Sequence, residues 1–315
     1  RYRASAAHLS VRCETSSMRK IAVSGASGLI GTALVSALRD RGDHVVGIGR
    51  VARAPDDVVW DPARSMLDGR SLEGFDAVVH LAGEPIDGRW TRAKKGRILE
   101  SRVTTTRLLA TTLSRLQSPP TVVVSASAIG IYGHRGDEYL SEDSEPGQGF
   151  LADVCLQWES AAAAFATPLT RLAVARTGVV LTPLGGALKK LLLPIRLGLG
   201  GPMGGGKQWW SWITLDDHIR AILHLLDTEV EGPVNLVSPN PLQNRDLTQE
   251  VARALGRSAF IPVPAVVLRL ALGEMAEDLL LASCRLRPQR LEDSGFRFGD
   301  PDIAVALANL FIRSG

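Results

Sequence analysis

Hydrophobic and polar positions divide the chain into short apolar runs and longer segments with helical spacing, beginning at Lys20. The apolar runs predict buried strands at residues 20–24, 44–50, 75–83, 121–127 and 171–181. The segments between them predict helices over residues 32–41, 97–116 and 151–165. Short strands that are apolar on both faces and alternate with helices indicate a parallel sheet covered on both sides. The predicted fold is therefore α/β, with a doubly wound sheet.

The pattern loosens after residue 181, and residues 198–212 are rich in glycine and tryptophan. Further helices are predicted around residues 216–228, 246–256 and 264–281, and the apolar stretch 262–272 is interpreted as core. We expect residues 18–181 to form one domain and residues 182–315 a smaller C-terminal lobe on the substrate side, part of which returns to the sheet. Trp209, Trp210 and Trp212 form either a lid over an apolar substrate or part of the lobe's own core.

Three glycines follow the first predicted strand directly, in the segment GASGLIG. Gly25, Gly28 and Gly31 allow the backbone to turn tightly, to approach a pyrophosphate and to pack the next helix against the sheet. The N-terminus of that helix offers N–H groups and the positive end of its dipole to phosphates. Strand, turn and helix together predict a Rossmann-type dinucleotide site, against the alternative of a merely structural turn.

The residues at the end of the second predicted strand indicate which dinucleotide is bound. An NAD enzyme usually carries Asp or Glu there, to accept hydrogen bonds from the ribose hydroxyls. This chain has Gly49 and Arg50, with Arg53 close behind. A guanidinium at this position attracts a 2′-phosphate, so the predicted cofactor is NADP. The alternative is that Arg50 is an ordinary solvated arginine.

Composition and charge exclude several other classes of function. The chain has 315 residues and a net charge of +3, which makes no basic stripe, so nucleic acid is not the expected partner. No apolar run reaches the roughly 18 to 20 residues that span a bilayer. Cys13, Cys155 and Cys284 lie far apart, without the spacing of a disulfide framework or a metal site. Such cysteine usage is typical of a reducing compartment.

Residues 1–17 differ in composition from the rest of the chain. They are rich in Ser, Ala and Arg, and Glu14 is the one acidic residue among them. This composition is typical of the end of an organelle transit peptide. We expect a plastid location first and a mitochondrial one second; the alternative is a disordered tail with no targeting role.

Several segments together resemble a known family. They are MRKIAVSGASGLIG, HLAGEPI, ILESRVTTTRLL, VSASAIGIYG, LLLPIRLGLGGPMGGGKQWWSWI and RPQRLEDSGFRFGDPDI. The chain resembles the extended short-chain dehydrogenase/reductases, and more narrowly their divergent epimerase-family branch. Members of that branch are described as NADP-dependent oxidoreductases or as cell-division-inhibitor-like proteins, and they include plastid proteins of the giant-chloroplast type. The resemblance extends from residue 18 to about residue 310.

The resemblance implies a set of cofactor-binding residues. Pyrophosphate contacts are implied for Gly25, Ser27, Gly28, Leu29, Ile30 and Gly31. The other implied contacts are Gly49 and Arg50 with the 2′-phosphate side, Leu81, Ala82 and Gly83 with adenosine and ribose, Arg97 and Arg102 with further polar groups of the cofactor, and Gly178 and Val179 with the nicotinamide. The alternative for Arg97 is a solvated charge on the helix surface.

Catalytic residues are less clearly present than cofactor residues. Active members of the wider superfamily use a Ser or Thr together with Tyr-x-x-x-Lys on the next helix, where the lysine lowers the pKa of the tyrosine. Ser127 matches the serine, but Leu151 and Cys155 stand where the tyrosine and lysine belong. Tyr132 is the remaining phenol nearby, and it is expected to act either as the acid or as a wall of the pocket.

Two interpretations of function follow. The first is an NADP(H)-dependent oxidoreductase or epimerase with an unusual acid and an unidentified small-molecule substrate. The second is a protein that binds NADP(H) for a structural or regulatory purpose and acts through a protein partner in plastid division or maintenance. Absence of the Tyr-x-x-x-Lys pair favours the second, and the C-terminal lobe favours the first.

Overall fold

The computed structural model describes residues 18–312. Its strands are β1 (Lys20–Ser24), β2 (His44–Gly49), β3 (Val58–Asp61), β4 (Met66–Leu67), β5 (Ala77–His80), β6 (Val122–Ala128), β7 (Tyr139–Leu140), β8 (Arg171–Thr177), β9 (Val179–Leu181), β10 (Trp209–Trp210), β11 (Trp212–Thr214), β12 (Gly232–Leu236), β13 (Leu242–Gln243) and β14 (Arg285–Leu286). Its α-helices are α1 (Leu29–Asp40), α2 (Arg92–Leu113), α3 (Phe150–Ala162), α4 (Gly186–Arg196), α5 (Leu215–Asp227), α6 (Asn244–Ala254), α7 (Ala265–Leu272), α8 (Gln289–Asp293) and α9 (Ile303–Ile312), and Ala276–Leu281 is π-helical. The predicted transit peptide lies in residues 1–17, outside the described residues.

Eight strands form the main sheet, in the order β12-β8-β6-β5-β1-β2-β3-β4. All neighbouring strands in it are parallel except β3 and β4. The strand order reverses beside β1, because the chain goes from β1 to β2 on one side and to β5 on the other. Ligands of open parallel sheets bind at such a reversal, beyond the carboxyl ends of the strands. The predicted α/β doubly wound fold is confirmed.

Both faces of the main sheet carry an apolar layer. Side chains of α1 and α5 pack on one face, where Leu34, Ile222 and Leu225 are fully buried. The other face is covered by α2 and by residues at the end of α3, including Leu109 and Phe165. A third cluster, formed by α4, α6, α9 and the buried Trp212, is the core of the C-terminal lobe.

The predicted strand at residues 171–181 is two strands, β8 and β9, separated by Gly178. A β-carbon on Gly178 would lie 2.7 Å from both the Ser211 carbonyl oxygen and a methyl carbon of Val237. Beyond this close approach, β9 leaves the main sheet and pairs with β11. After β11 the chain returns through α5 and β12, and β12 pairs with β8 in the main sheet.

Two predictions for the lobe have different outcomes. Trp210 and Trp212 are buried in the lobe core, so the core alternative is correct for them and the lid alternative is wrong. The interpretation of residues 262–272 as core is wrong for α7, in which no residue is buried. Val266, Val267 and Leu270 of α7 are exposed, because no described element packs over that face of the helix.

Candidate nucleotide and substrate site

The glycine turn between β1 and α1 has no room for side chains at two of its three glycines. Gly25 has a positive φ of 71°, and a β-carbon there would lie 2.8 Å from the Leu81 carbonyl carbon. A β-carbon on Gly31 would lie 2.1 Å from the Gly25 carbonyl oxygen. Glycine at these two positions lets the turn pack directly on the end of β5 and lets α1 pack on the turn.

The third glycine begins α1 and faces open space. Gly28 is the N-cap residue, no side chain caps the helix, and its first turn carries no acidic residue. A β-carbon on Gly28 would meet only the Gly25 carbonyl oxygen within 4 Å, at 3.3 Å. The first N–H groups of a helix have no partners within the helix. In α1 they are left available to an anion.

A cavity of about 730 Å³ lies beside this turn, at the carboxyl ends of β1, β2 and β5. Among the predicted cofactor residues, it is lined by Gly25, Ser27, Gly28, Gly49, Arg50, Leu81, Ala82, Gly83 and Arg97. The predicted residues Leu29, Ile30 and Gly31 lie in the first turn of α1, behind the lining. Nine of the predicted positions, distant in sequence, therefore surround one cavity, and their contacts with a cofactor stay predictions.

Two arginines at the end of β2 line the cavity without protein partners. Within residues 18–312, neither the Arg50 nor the Arg53 guanidinium makes a hydrogen bond or an ion pair. Asp57 holds the loop between them and β3, accepting hydrogen bonds from the N–H groups of Gly47, Arg53 and Ala54 at 2.8, 2.8 and 3.0 Å. Burial raises the pKa of Asp57, but these hydrogen bonds outweigh it and lower the pKa overall. The Asp57 carboxylate thus binds the backbone of the loop and neither guanidinium group, so Arg50 and Arg53 are available to a ligand.

A buried hydrogen-bond chain fixes the turn after β5. The N–H groups of Leu81 and Ala82 donate to Ser24 Oγ at 3.1 and 3.3 Å, and this hydroxyl donates to His80 Nδ1 at 2.7 Å. The Nε2–H of His80 then donates to Thr106 Oγ1 at 3.0 Å, a tautomer inferred from this network. Burial lowers the pKa of His80 to about 4, so the ring is neutral. This support for the turn was missed in the sequence, since single contacts join residues up to 58 positions apart.

Arg97 and Arg102 take different places on α2. Arg97 lines the cavity and contacts Glu84 at 3.4 Å. Arg102 instead donates to the carbonyl oxygens of Glu84 and Ile98, at 3.1 and 3.0 Å, and lies against Gly83. Arg102 therefore holds the loop after β5 and does not line the cavity, contrary to its implied cofactor contact.

Gly178 lies between β8 and β9, Val179 is the first residue of β9, and neither residue lines a cavity of this site. Gly178 packs against Ser211 and Val237, and the Val179 N–H donates to the Ser211 carbonyl at 2.9 Å. Their position beyond the carboxyl end of β8 agrees with the predicted location, and their contact with the nicotinamide stays a prediction.

A second cavity, of about 670 Å³, lies between the loop after β6, the start of α3 and the C-terminal lobe. Its charged and titratable lining residues are His134, Asp137, Lys207, Arg269, Glu277 and Asp278. Gly130, Leu151 and Ala152 line it on the side of the main sheet. The lobe thus adds a mixed-charge compartment large enough for a small-molecule substrate.

Ser127 belongs to a buried ionic network at the end of β6. Its hydroxyl donates to Glu159 Oε1 at 2.6 Å. Arg176 binds the same carboxylate through two bonds, Nε to Oε1 and Nη2 to Oε2, both at 2.9 Å. The residue Ser127 is 3% exposed, and it lines neither cavity. The predicted role of Ser127 in orienting a substrate carbonyl is therefore not supported by this geometry.

Tyr132 is fully buried in the same network. Its hydroxyl donates to Asn235 Oδ1 at 2.8 Å and accepts from Arg176 Nη1 at 2.8 Å. Burial raises the pKa of Tyr132 to about 12. A phenol with 0% exposure and both hydrogen-bonding functions engaged reaches no substrate, so it is neither the expected acid nor a pocket wall. The prediction for Tyr132 was wrong because its partners Arg176 and Asn235 lie on strands that are distant in sequence.

Leu151 and Cys155, which occupy the positions of the missing Tyr and Lys, have apolar neighbours in the structure. Leu151 lies in the first turn of α3 and lines the second cavity. Cys155 is buried one turn later, and burial raises the pKa of its thiol to about 12. Neither side chain exchanges a proton near neutral pH.

The first cavity fits a dinucleotide with a 2′-phosphate. It has an uncapped helix N-terminus, a glycine turn with room at Gly28 and two unpaired guanidinium groups in one compartment.

No group of three or more His, Cys, Asp or Glu residues suited to a metal occurs in the part of the chain that the structure describes. Within those same residues, no helix has the length and apolar character required to cross a bilayer.

The chain is similar to known proteins over nearly its whole length. A model of the NAD dependent epimerase/dehydratase family matches residues 21–237, and one of a domain of unknown function (DUF1731) matches residues 263–310. An epimerase family protein of Mycobacterium bovis is 38% identical over 300 residues, covering 94% of this chain and 98% of that protein. The human epimerase family protein SDR39U1 is 36% identical, covering 92% and 99%.

The crystal structure of human SDR39U1 with NADPH is also similar to this structure. The TM-score is 0.85 at 34% identity, over 92% of this chain and 98% of that one. The epimerase/dehydratase match covers well over half of the sequence, and the relatives are similar from end to end. The chain therefore belongs to the NAD-dependent epimerase/dehydratase family.

Proposed function

We propose that the protein binds NADP(H) in the first cavity. The observation that carries this proposal is the joint placement of Arg50 and Arg53, without protein partners, beside the uncapped N-terminus of α1. Phosphate groups bind helix N-termini through N–H groups and bind guanidinium groups in bidentate fashion. NADPH in the similar human structure supports the same choice.

We further propose that the bound cofactor serves an oxidoreductase or epimerase reaction in the second cavity. When bound, NADP(H) would supply hydride transfer to or from a substrate carbon. The chain's own part would be to anchor the phosphates at the glycine turn, to hold the adenosine side against Leu81, Ala82 and Gly83, and to enclose the substrate between α3 and the lobe. Lys207 lines this compartment and has no hydrogen bond or ion pair among the described residues, so it is available to an anionic or polar substrate group.

The test is a binding measurement followed by a turnover screen. Calorimetric titration with NADPH and NADH measures the cofactor preference. NADPH oxidation is then followed at 340 nm with a panel of quinones, aldehydes and ketones. We expect tight NADPH binding and turnover of at least one carbonyl compound. Failure to bind NADPH would contradict the proposal at its first step.

A second candidate function is an NADP(H)-binding regulatory protein that acts through a protein partner. Leu151 and Cys155 favour it, because neither supplies the usual proton chemistry. It predicts NADPH binding with no turnover of any compound in the panel. A role in plastid division or maintenance belongs to this candidate and stays a prediction from the resemblance. The plastid location stays a prediction from residues 1–17, whichever function holds.

A further inference from the structure

The second cavity has six titratable or cationic side chains, and most have partners within the protein. His134 Nδ1 accepts from the Ser283 N–H at 3.0 Å. Asp137 accepts from Trp209 Nε1 at 2.7 Å, and Arg269 and Glu277 pair with each other. Lys207 and Asp278 remain, with no side-chain partner among residues 18–312.

Asp278 stands where α3 begins, on the π-helical turn of the lobe. Its Oδ2 lies 3.4 Å from the backbone nitrogen of Leu151, the residue at the position of the missing tyrosine. A β-carbon on Gly149 would lie 3.1 Å from the same oxygen, so glycine makes room for the carboxyl group. Asp278, Leu151 and Gly130 line the same wall of the second cavity. A carboxyl from the lobe thus lies beside the place where α3 lacks its phenol.

The surroundings of Asp278 raise the pKa of its carboxyl group. Burial raises the pKa of Asp278 and the Glu274 carboxylate raises it further, against the opposing effect of the Leu151 and Phe150 N–H groups and of Lys95. Lys95 is itself bound to Glu274 at 2.8 Å. The other charged or titratable groups that face this compartment are His134, Asp137, Lys207, Arg269 and Glu277.

We propose that Asp278 is the proton donor and acceptor of this site, in place of the absent tyrosine, for substrates with a carbonyl or a secondary alcohol. This proposal rests on the proposed oxidoreductase function. In the reducing direction, hydride from bound NADPH adds to the carbonyl carbon while the C=O π electrons move to oxygen. That oxygen takes the proton of the Asp278 carboxyl group, which leaves an alcohol, NADP⁺ and a carboxylate. Solvent reprotonates the carboxylate through the cavity opening, and oxidation of an alcohol is the reverse of these steps.

The test compares D278N, D278E and D153N with the wild type. Asp153 is a matched control, because it is also an aspartate, lies in the first turn of α3 with Leu151 and is exposed away from the cavity. The probes are 4-nitrobenzaldehyde, cyclohexanone and 9,10-phenanthrenequinone with NADPH. We expect D278N to lower kcat/KM about 10²- to 10⁴-fold, with an NADPH Kd within about twofold of wild type. D278E should recover part of the loss, and D153N should match the wild type.

Two further readouts separate proton transfer from a structural effect. Reduction by the wild type should slow as pH rises through the pKa of Asp278, and D278N should lack this dependence. In ¹³C spectra of aspartate-labelled protein with NADP⁺, the carboxyl signal missing from both D278N and D278E should titrate above the ordinary value of about 3.9. These spectra require no substrate and no turnover.

The possible failures are distinct. Unchanged turnover and pH dependence in D278N would overturn the role of Asp278 and leave the oxidoreductase function standing. A carboxyl signal that titrates at or below the ordinary value would also overturn the role. NADPH binding by the wild type without turnover of any probe would overturn the oxidoreductase function and the role of Asp278 together.

Discussion

Single side chains in this protein divide into those that serve the fold and those that are left for a ligand. Glu159, Arg176 and Tyr132 satisfy one another in the buried network, although each could act in catalysis elsewhere. Arg50 and Asp278 line cavities, without ion pairs in the described chain. Because a polar side chain that lines a cavity without a side-chain partner is available to a ligand and a paired buried one is not, such available side chains are the better guide to function here.

Arg50→Ala should lower the affinity for NADPH about ten- to hundredfold and leave the affinity for NADH nearly unchanged. A hydrogen bond to a charged phosphate contributes about 1.5–3 kcal/mol, and NADH lacks the 2′-phosphate. Calorimetric titration of both nucleotides measures the two effects. Arg70→Ala is the control, since Arg70 is exposed, contacts Asp68 and lies outside the cavity. Equal affinities of the wild type for the two nucleotides would contradict the assignment.

Tyr132→Phe should lower the free energy of unfolding by about 1–3 kcal/mol, because it leaves the buried Asn235 Oδ1 without its donor. Turnover, where it is measured, should change little at a temperature at which the variant is folded. Chemical denaturation gives the first quantity and the carbonyl assay the second. Tyr139→Phe is the control, because the Tyr139 side chain is exposed and its loss of a hydroxyl should cost less than about 0.5 kcal/mol. A large loss of turnover with unchanged stability would restore Tyr132 as the acid.

Secondary-structure elements place the site through their ends. The first cavity lies where β1, β2 and β5 end and α1 begins, and residues from the middle of α2, such as Ser101 and Thr105, complete its lining. The α2 helix begins at Arg92, five residues before its predicted start, because Thr91 caps it by accepting from the Lys94 N–H at 3.2 Å. The extra turn brings Lys94 within 3.0 Å of Glu84, in the loop after β5. Helix capping thus contributes to the support of the nucleotide cavity.

Gly28→Val should abolish NADPH binding and leave the fold largely intact. The φ and ψ of Gly28, −76° and 173°, are accessible to valine, and the nearest obstacle to a β-carbon is one carbonyl oxygen at 3.3 Å. The side chain would then occupy the space expected for the pyrophosphate. Calorimetric titration and thermal unfolding check the two halves of the prediction. Gly96→Ala, a glycine change on α2 with open space around it, should keep NADPH binding. Wild-type affinity in Gly28→Val would contradict the proposed phosphate position.

Two buried histidines join distant segments of the protein, and they make its stability depend on pH. His80 joins β5 to α2 through Thr106, and His218 joins α5 to β8 through Thr177, at 3.0 Å in both cases. Burial lowers the pKa of each imidazole to about 4. The unfolded chain therefore binds protons more readily than the folded protein between about pH 6.5 and pH 4.

We expect the free energy of unfolding to fall as pH drops from 6.5 to 4, by at most about 3 kcal/mol for each imidazole. The stabilising contribution is complete above pH 6.5 and is lost through the folded-state pKa. Urea denaturation across this range measures the dependence. His80→Gln should remove its own share of this dependence, leaving that of His218, and should lower stability at neutral pH, whereas His44→Gln, at a partly exposed site on β2, should leave the slope unchanged. A wild-type slope of zero in this window would contradict the assignment of neutral, buried imidazoles.

Local patterns in the chain were sufficient for β1, β2, β5, β6 and β8 of the main sheet and for the glycine turn, whereas β3, β4 and β12 were not predicted. The buried strands, the turn at Gly25 and the helix after it depend on residues within about twenty positions of one another, where hydrophobic period and glycine geometry act directly. Gly49, Arg50 and Ala82, which the resemblance implies as cofactor contacts, line one cavity because the carboxyl ends of parallel strands meet at one edge, and their contacts with a cofactor stay predictions.

Contacts between distant segments decided which side chains are buried and which line a cavity. Tyr132 is buried because Arg176 and Asn235 reach it from β8 and β12, and no local pattern indicates such a pairing. Asp278 meets the start of α3 across 127 positions, through a π-helical turn that hydrophobic period does not predict. Which polar side chains are paired and which face a cavity depends on the whole packed arrangement, since burial and hydrogen bonding are set by neighbours from every layer.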